Sequence, residues 1–369
     1  MRCIVSSLIA VTVTTGLAGA ATFSPIADFG ANPGALKAYD YIPDGLAANA
    51  PLVVVLHGCT QTAMAMQSAG WDKLADQYGF AVLFPEQQTA NNPVRCFNWA
   101  GEYGDLANLT RGQGENGSIM AMVDKEIALH AIDRGRVFVV GLSAGAAFTA
   151  VMLATYPDRF AAGSIMAGLP FKCATSVNEA YSCQNPGVNK TPQQWGDLVR
   201  AADPGFSGTF PRVQIWQGTS DTTVAPANAD ELVKQWTNVH GADQTADQTE
   251  VIGMATRTAY TKGGATVVEM YKISGMGHGI AIGADPEGAC TATAAAFFLD
   301  VKVCSTLRTA EFFGLTGGGS GSGRGSGGGG GDGDPSTGGN GGCAASGGAG
   351  LMIALAAIGL RRRRPTLAV

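Results

Sequence analysis

Val137-Phe-Val-Val-Gly141-Leu-Ser143-Ala-Gly145 is a short apolar run followed at once by Gly-x-Ser-x-Gly. An apolar run of this length reads as a buried strand, and the glycine-flanked serine after it reads as a sharp strand-to-helix turn. The turn demands a strained dihedral at Ser143 and a close approach of backbones on either side, which is why small residues flank it. Residues 144–156, small and apolar, are expected to form the following helix, stopped by Pro157. A helix starting at Ala144 aims its first N–H groups toward the serine, where they favour developing negative charge. Ser143 is therefore a candidate nucleophile exposed at the tip of an elbow.

A serine nucleophile needs a base, and the base needs an orienting acid. The chain holds four histidines. His278 lies in Ser274-Gly-Met-Gly-His278-Gly279, a small-residue loop after the strand-like run 267–273, and can swing over a serine without steric conflict. His57 ends the run Val53-Val-Val-Leu-His57 and precedes the serine, against the chain order serine, acid, histidine, so it reads as a brace of its loop. His130 and His240 fall in helical patterns and read as ordinary helix residues. The acid belongs between Ser143 and His278, after a strand. Val213-Gln-Ile-Trp-Gln-Gly-Thr-Ser-Asp221 meets that condition. Asp203 has no strand before it, Asp230 sits inside a helical pattern, and Asp243 is a further competitor.

An acyl-transfer site also needs donors for the oxyanion. The backbone N–H of Ala144 is expected to be one. The loop His57-Gly-Cys59-Thr-Gln61 after an early strand is expected to supply the other, from Cys59. Trp99, Trp195 and Trp216 are candidate substrate walls, since flat aromatic faces suit sugar rings or polyester segments; core packing is the competing role, favoured for Trp216, which sits in a strand.

The strand-like runs 52–56, 80–84, 137–140, 213–216 and 267–273 alternate with helical patterns over 63–78, 118–132, 144–156 and 228–239. Alternation with continuous apolar strands predicts an α/β fold, a doubly wound, mostly parallel sheet covered on both faces. Its catalytic loops then belong at the carboxyl ends of the strands. Residues 172–200 lack clear periodicity and are expected to form a cap over the site.

The motifs His57-Gly-Cys-Thr-Gln61, Cys96-Phe-Asn-Trp99, Arg111-Gly-Gln-Gly-Glu115, Gly141-Leu-Ser-Ala-Gly145, Gly168-Leu-Pro-Phe-Lys-Cys-Ala174, Gly218-Thr-Ser-Asp221 and Gly277-His-Gly279 occur in this order. In that order the chain resembles the polyhydroxybutyrate-depolymerase-type esterase family of α/β-hydrolases, to which feruloyl and acetylxylan esterases are similar. The resemblance runs from about Phe29 to Phe313 and implies Ser143, Asp221 and His278 as the triad. It also implies a serine esterase acting on poly- or oligo(3-hydroxybutyrate), with hemicellulose ester side groups as the alternative. An inactive surface-binding protein is the reading from another class. Ala146-Ala147 departs from the family, which more often has a further glycine there.

Of the 369 residues 46% are hydrophobic and 14% charged, with net charge −5. No nucleic-acid partner, metal or other cofactor is implied. Residues 1–20 read as a secretory signal. The globular region 21–313 then holds Cys59, Cys96, Cys173, Cys183, Cys290 and Cys304, an even set suited to disulfides in an exported protein. Near neighbours suggest Cys173–Cys183 and Cys290–Cys304, which leaves Cys59–Cys96. Residues 314–342 are Gly/Ser-rich and read as a flexible tether. Cys343, an apolar stretch and Arg361–Arg364 resemble a Myxo-type C-terminal sorting signal. That resemblance implies export machinery, a sorting protease acting near Cys343, and a secreted or cell-surface-anchored protein, with a permanent membrane anchor as the alternative.

Overall fold

The computed structural model describes residues 21–101, 106–285 and 290–317. The expected signal segment, most of the tether, Cys343 and the basic tail lie outside the described residues.

Two short strands open the chain, β1 (Phe23–Pro25) and β2 (Lys37–Tyr41). The parallel centre is built from β3 (Leu52–Leu56), β4 (Ala81–Glu86), β5 (Val137–Leu142), β6 (Ala162–Met166) and β7 (Arg212–Gly218). A meander follows, of β8 (Gln248–Ile252), β9 (Ala255–Lys262) and β10 (Ala265–Ile273). Among the described residues these form one ten-stranded sheet in the order β1-β2-β4-β3-β5-β6-β7-β10-β9-β8. The pairs from β4 through β10 are parallel, and both edges are antiparallel. The fold is α/β, with a mostly parallel sheet, as the alternation predicts. The antiparallel edges were not read from the sequence.

β3 shows why the sheet must be covered twice. All five of its residues are buried. Leu52, Val54 and Leu56 enter one core cluster, and Val53 and Val55 enter the other. Successive strand side chains face opposite ways, so an unbroken apolar run requires helices on both sides. One face is covered by α2 (Gly114–His130) and α3 (Ala144–Thr155), the other by α1 (Trp71–Tyr78). Every residue of α3 is buried, as expected for a helix apolar all round.

The remaining helices are α4 (Val177–Gln184), α5 (Pro192–Arg200), α6 (Ala227–His240) and α7 (Ser305–Phe312). A small parallel pair, β11 (Ile280–Ile282) with β12 (Phe298–Asp300), lies beyond the base loop.

Two expectations need correction. The helix expected over 63–78 is broken at Gly70, whose φ of 77° ends a 3-10 turn (Met64–Ala69) before α1 begins. A Cβ at Gly70 would meet the Thr291 backbone at 2.5 Å, so glycine is required there. Residues 172–200 are not an aperiodic cap: they hold α4 and α5. α5 starts with a capping box between Thr191 and Gln194, with Pro192 next, and buries Trp195 and Val199 in the main core. α4 leads into Asn185, whose Nδ2 donates to the carbonyl of Thr222, next to Asp221, at 3.1 Å.

Candidate active site

Ser143 follows the last residue of β5 and has φ 57° and ψ −118°. Its flanking glycines admit no side chain. A Cβ on Gly141 would lie 2.3 Å from the Gly145 carbonyl oxygen, and one on Gly145 would lie 2.5 Å from the Leu56 and His57 carbonyl oxygens. The Ser143 N–H donates to the Met166 carbonyl at 2.9 Å, tying the turn to the next strand. α3 begins at Ala144, so its first amides have no acceptor inside the helix. Ala146 fits because Gly168 opposite it has no side chain: a Cβ there would sit 2.7 Å from the Ala146 Cβ.

His278 and Asp221 meet on loops past β10 and β7. His278 Nδ1 lies 2.7 Å from Asp221 Oδ2. Oδ1 of Asp221 accepts the Thr223 and Val224 amides at 2.8 and 2.9 Å. Gln217 Nε2 donates to Oδ2 at 3.2 Å. Burial alone would raise the Asp221 pKa. The His278 hydrogen bond and charge, with the two amides, outweigh it and hold the carboxyl below its usual range. The two loops are joined to each other: Ser220 N–H donates to the Met276 carbonyl, and Gly275 N–H to the Thr219 hydroxyl, each at 2.9 Å. Gly218 permits this, because a Cβ on it would come within 2.3 Å of the Met276 oxygen.

The loop after β3 lies beside Ser143, with the position of a Gly58 Cβ only 3.4 Å from the Ser143 Cβ. Its amides are nearly all committed. Gly58 N–H bonds Gln61 Oε1 at 2.8 Å, Thr60 N–H bonds the Val94 carbonyl at 2.6 Å, and Gln61 N–H bonds the Gly58 carbonyl at 3.3 Å. Among the described residues, the Cys59 N–H is left without a protein acceptor in this loop. Cys59 is disulfide-bonded to Cys96, with Cα atoms 4.2 Å apart. Cys173 pairs with Cys183 and Cys290 with Cys304, the same pairs that neighbouring positions suggested.

His57 is fully buried beneath the loop. Its Nε2 accepts the Gln87 amide at 3.0 Å, so its proton sits on Nδ1 and is donated to the Gly58 carbonyl at 2.7 Å. Burial lowers its pKa to about 4 and keeps it neutral. Buried Glu115 ties together the segments around it, accepting from Asn98 N–H at 2.8 Å and from Gln87 Nε2 at 2.5 Å. That gives Cys96-Phe-Asn-Trp99 and Arg111-Gly-Gln-Gly-Glu115 a structural purpose.

The tryptophan walls are corrected. Trp195 is 0% exposed and donates its indole N–H to Glu231 at 2.6 Å. Trp216 is 2% exposed, stacked on Tyr271 at 3.9 Å, with its N–H on Gln214. Neither has a face free for a substrate. Trp99 is also packed into the core, 5% exposed.

The aromatic near the base is Phe297. It is 40% exposed, and its ring meets that of His278 edge-on at 6.3 Å. Phe297 has φ 67°, a strained setting held by the Ile280 N–H bond to its carbonyl at 2.7 Å. With Thr60, Thr62, Ala65, Ala295 and Ala296 it lines a cavity of about 300 Å³ beside the oxyanion loop. Sequence reasoning missed it, and the one signal was the aromatic pair Phe297-Phe298 following a run of alanines.

Sheet topology, elbow and loop placement define an α/β-hydrolase, and the chain is a carboxylic ester hydrolase. Residues 36–257 match the family model described as esterase PHB depolymerase, and the chain belongs to that family. It is 50% identical over 293 residues to poly(3-hydroxyalkanoate) depolymerase C of Paucimonas lemoignei, covering 79% of this chain and 70% of that one. It is 33% identical to feruloyl esterase B of Talaromyces stipitatus, over 81% of this chain and 77% of the relative. The solved acetyl xylan esterase from Aspergillus awamori superposes with a TM-score of 0.67 at 30% identity, over 80% of this chain and 99% of that one.

Proposed function

We propose that the protein is an exported serine esterase that cleaves 3-hydroxyalkanoate oligo- or polyesters through Ser143, His278 and Asp221. The observation that carries the mechanism is the 2.7 Å bond from His278 Nδ1 to Asp221, on loops joined to each other past the same sheet edge as the Ser143 elbow. Ser143 Oγ attacks the ester carbonyl carbon while His278 Nε2 takes its proton. Asp221 holds the Nδ1–H tautomer and stabilises the imidazolium. The Cys59 and Ala144 amides receive the oxyanion. As the tetrahedral intermediate collapses, His278 returns the proton to the departing alcohol oxygen. Water, deprotonated by His278, then attacks the acyl-serine and releases the acid.

The substrate class is supported by the 50% identity to a poly(3-hydroxyalkanoate) depolymerase. The small cavity beside the oxyanion loop, with methyl, hydroxyl and phenyl lining, suits an aliphatic hydroxyacyl unit. The likeness to acetyl xylan esterase over nearly all of that chain favours a second reading, deacylation of hemicellulose. Three disulfides support folding in an oxidising compartment, consistent with export. Anchoring through Cys343 and the basic tail remains part of the proposal.

Purified protein and Ser143→Ala should be assayed on 4-nitrophenyl butyrate, hydroxybutyrate oligomers, methyl ferulate and acetylated xylan. The expected result is fastest turnover of the oligomers by wild type and none by the variant. Faster release from ferulate or xylan moves the substrate to plant cell walls. A folded wild type that hydrolyses nothing, and takes no fluorophosphonate label, leaves the surface-binding role.

A further inference from the structure

We infer that Asp40, Glu126 and His130 form a binding site for a divalent cation of the zinc class, at the end of the sheet away from Ser143. The sequence places Glu126 and His130 four apart on α2, so both side chains share one face of the helix. β2 brings Asp40 against that face. One ligand atom from each of the three lies within 4.8 Å of the others. His130 Nε2 and Glu126 Oε2 are 3.6 Å apart. Two ligands bound about 2.0–2.1 Å from a tetrahedral ion are about 3.4 Å apart, so the pair needs little movement.

The second observation is Glu126 itself. Its side chain is 0% exposed, and neither carboxylate oxygen has a hydrogen-bond partner. A buried carboxylate without partners is costly, and a bound cation removes that cost. Asp40 and His130 are only half-buried, which leaves a route for the ion and for water ligands. One imidazole with two carboxylates selects a borderline ion over calcium, which takes oxygen donors alone.

The site is not part of the reaction. α2 runs into the amino end of β5, whereas Ser143 follows its carboxyl end, and a six-residue strand spans roughly 20 Å. An ion here fastens α2 to the antiparallel edge.

Chelator-stripped full chain should be titrated with zinc chloride by calorimetry and melted with and without zinc. The expected result is one equivalent bound at micromolar Kd or tighter, and a rise in Tm of several degrees. Glu126→Gln and His130→Ala should each weaken binding at least tenfold and abolish the Tm rise. Hydrolysis of 4-nitrophenyl butyrate should be unchanged at one equivalent of zinc, which separates this site from the triad. Failure of wild type to bind zinc, binding of calcium in its place, or binding indifferent to both substitutions would each overturn the proposal.

Discussion

His57 Nδ1 donates to the carbonyl oxygen of Gly58, 2.7 Å away, and that carbonyl belongs to the same peptide as the Cys59 N–H. In a trans peptide the C=O and N–H point in opposite directions. Fixing the carbonyl toward buried His57 therefore turns the Cys59 N–H the other way, away from that imidazole. A histidine outside the proposed triad thus pins the peptide that carries the proposed oxyanion donor. His57→Ala is expected to lower kcat by roughly 10- to 100-fold with a much smaller change in KM, below the loss for a whole oxyanion donor. Steady-state kinetics on 4-nitrophenyl butyrate decides it. Equal losses in a distant reporter such as Tm, with kcat intact, would assign His57 to stability alone.

Asp221 carries a pH dependence. Its folded pKa is depressed, so its contribution to stability is full above the unfolded value of about 3.9 and is lost as pH falls through the folded value. Asp221→Asn should therefore flatten the acid limb of the stability curve below about pH 4. The same variant should lower kcat on the order of 10³- to 10⁴-fold at neutral pH, through loss of the tautomer. Urea melts across pH and parallel kinetics test both.

Phe297 is exposed beside His278 and lines the cavity next to the oxyanion loop. Phe297→Ala should raise KM for hydroxybutyrate trimer several-fold and leave that for 4-nitrophenyl acetate nearly unchanged. A uniform change in both would show that the ring supports His278 rather than the substrate.

Trp195→Phe removes the indole donor from Glu231, 2.6 Å away in the core. The expected loss is about 1.5–3 kcal/mol of stability, the worth of one hydrogen bond to a charged group, since Glu231 keeps the Lys190 amide at 3.2 Å and the Lys234 ammonium at 2.7 Å. KM should not move, since no face of Trp195 reaches solvent.

The elbow was legible because its signal is local: an apolar strand and two obligatory glycines in nine consecutive positions, with a small-residue helix following at once. That His278 and Asp221 would lie together was legible because chain order and a small number of histidines left few choices, and the two side chains meet at 2.7 Å. What escaped was set by tertiary contact. β8 is exposed at four of five positions and has no apolar alternation to read. β6 begins Ala-Gly-Ser, small because Leu153 packs where a Gly163 Cβ would be, 2.6 Å away. Trp195 was chosen for its side-chain chemistry and Phe297 was passed over, and only packing shows that the larger ring is buried and the smaller one exposed. α5 did carry a sequence signature, Thr191-Pro-Gln-Gln194, which the missing apolar period obscured.

The Cys59–Cys96 bond braces the loop after β3, which carries the proposed oxyanion donor. In the proposed mechanism this couples catalytic power to redox maturation. A newly made chain with free thiols carries its proposed nucleophile, base and acid, yet the loop of its proposed oxyanion donor is held by hydrogen bonds alone. On that reading full turnover begins once the thiols have paired, which an exported protein reaches in an oxidising compartment.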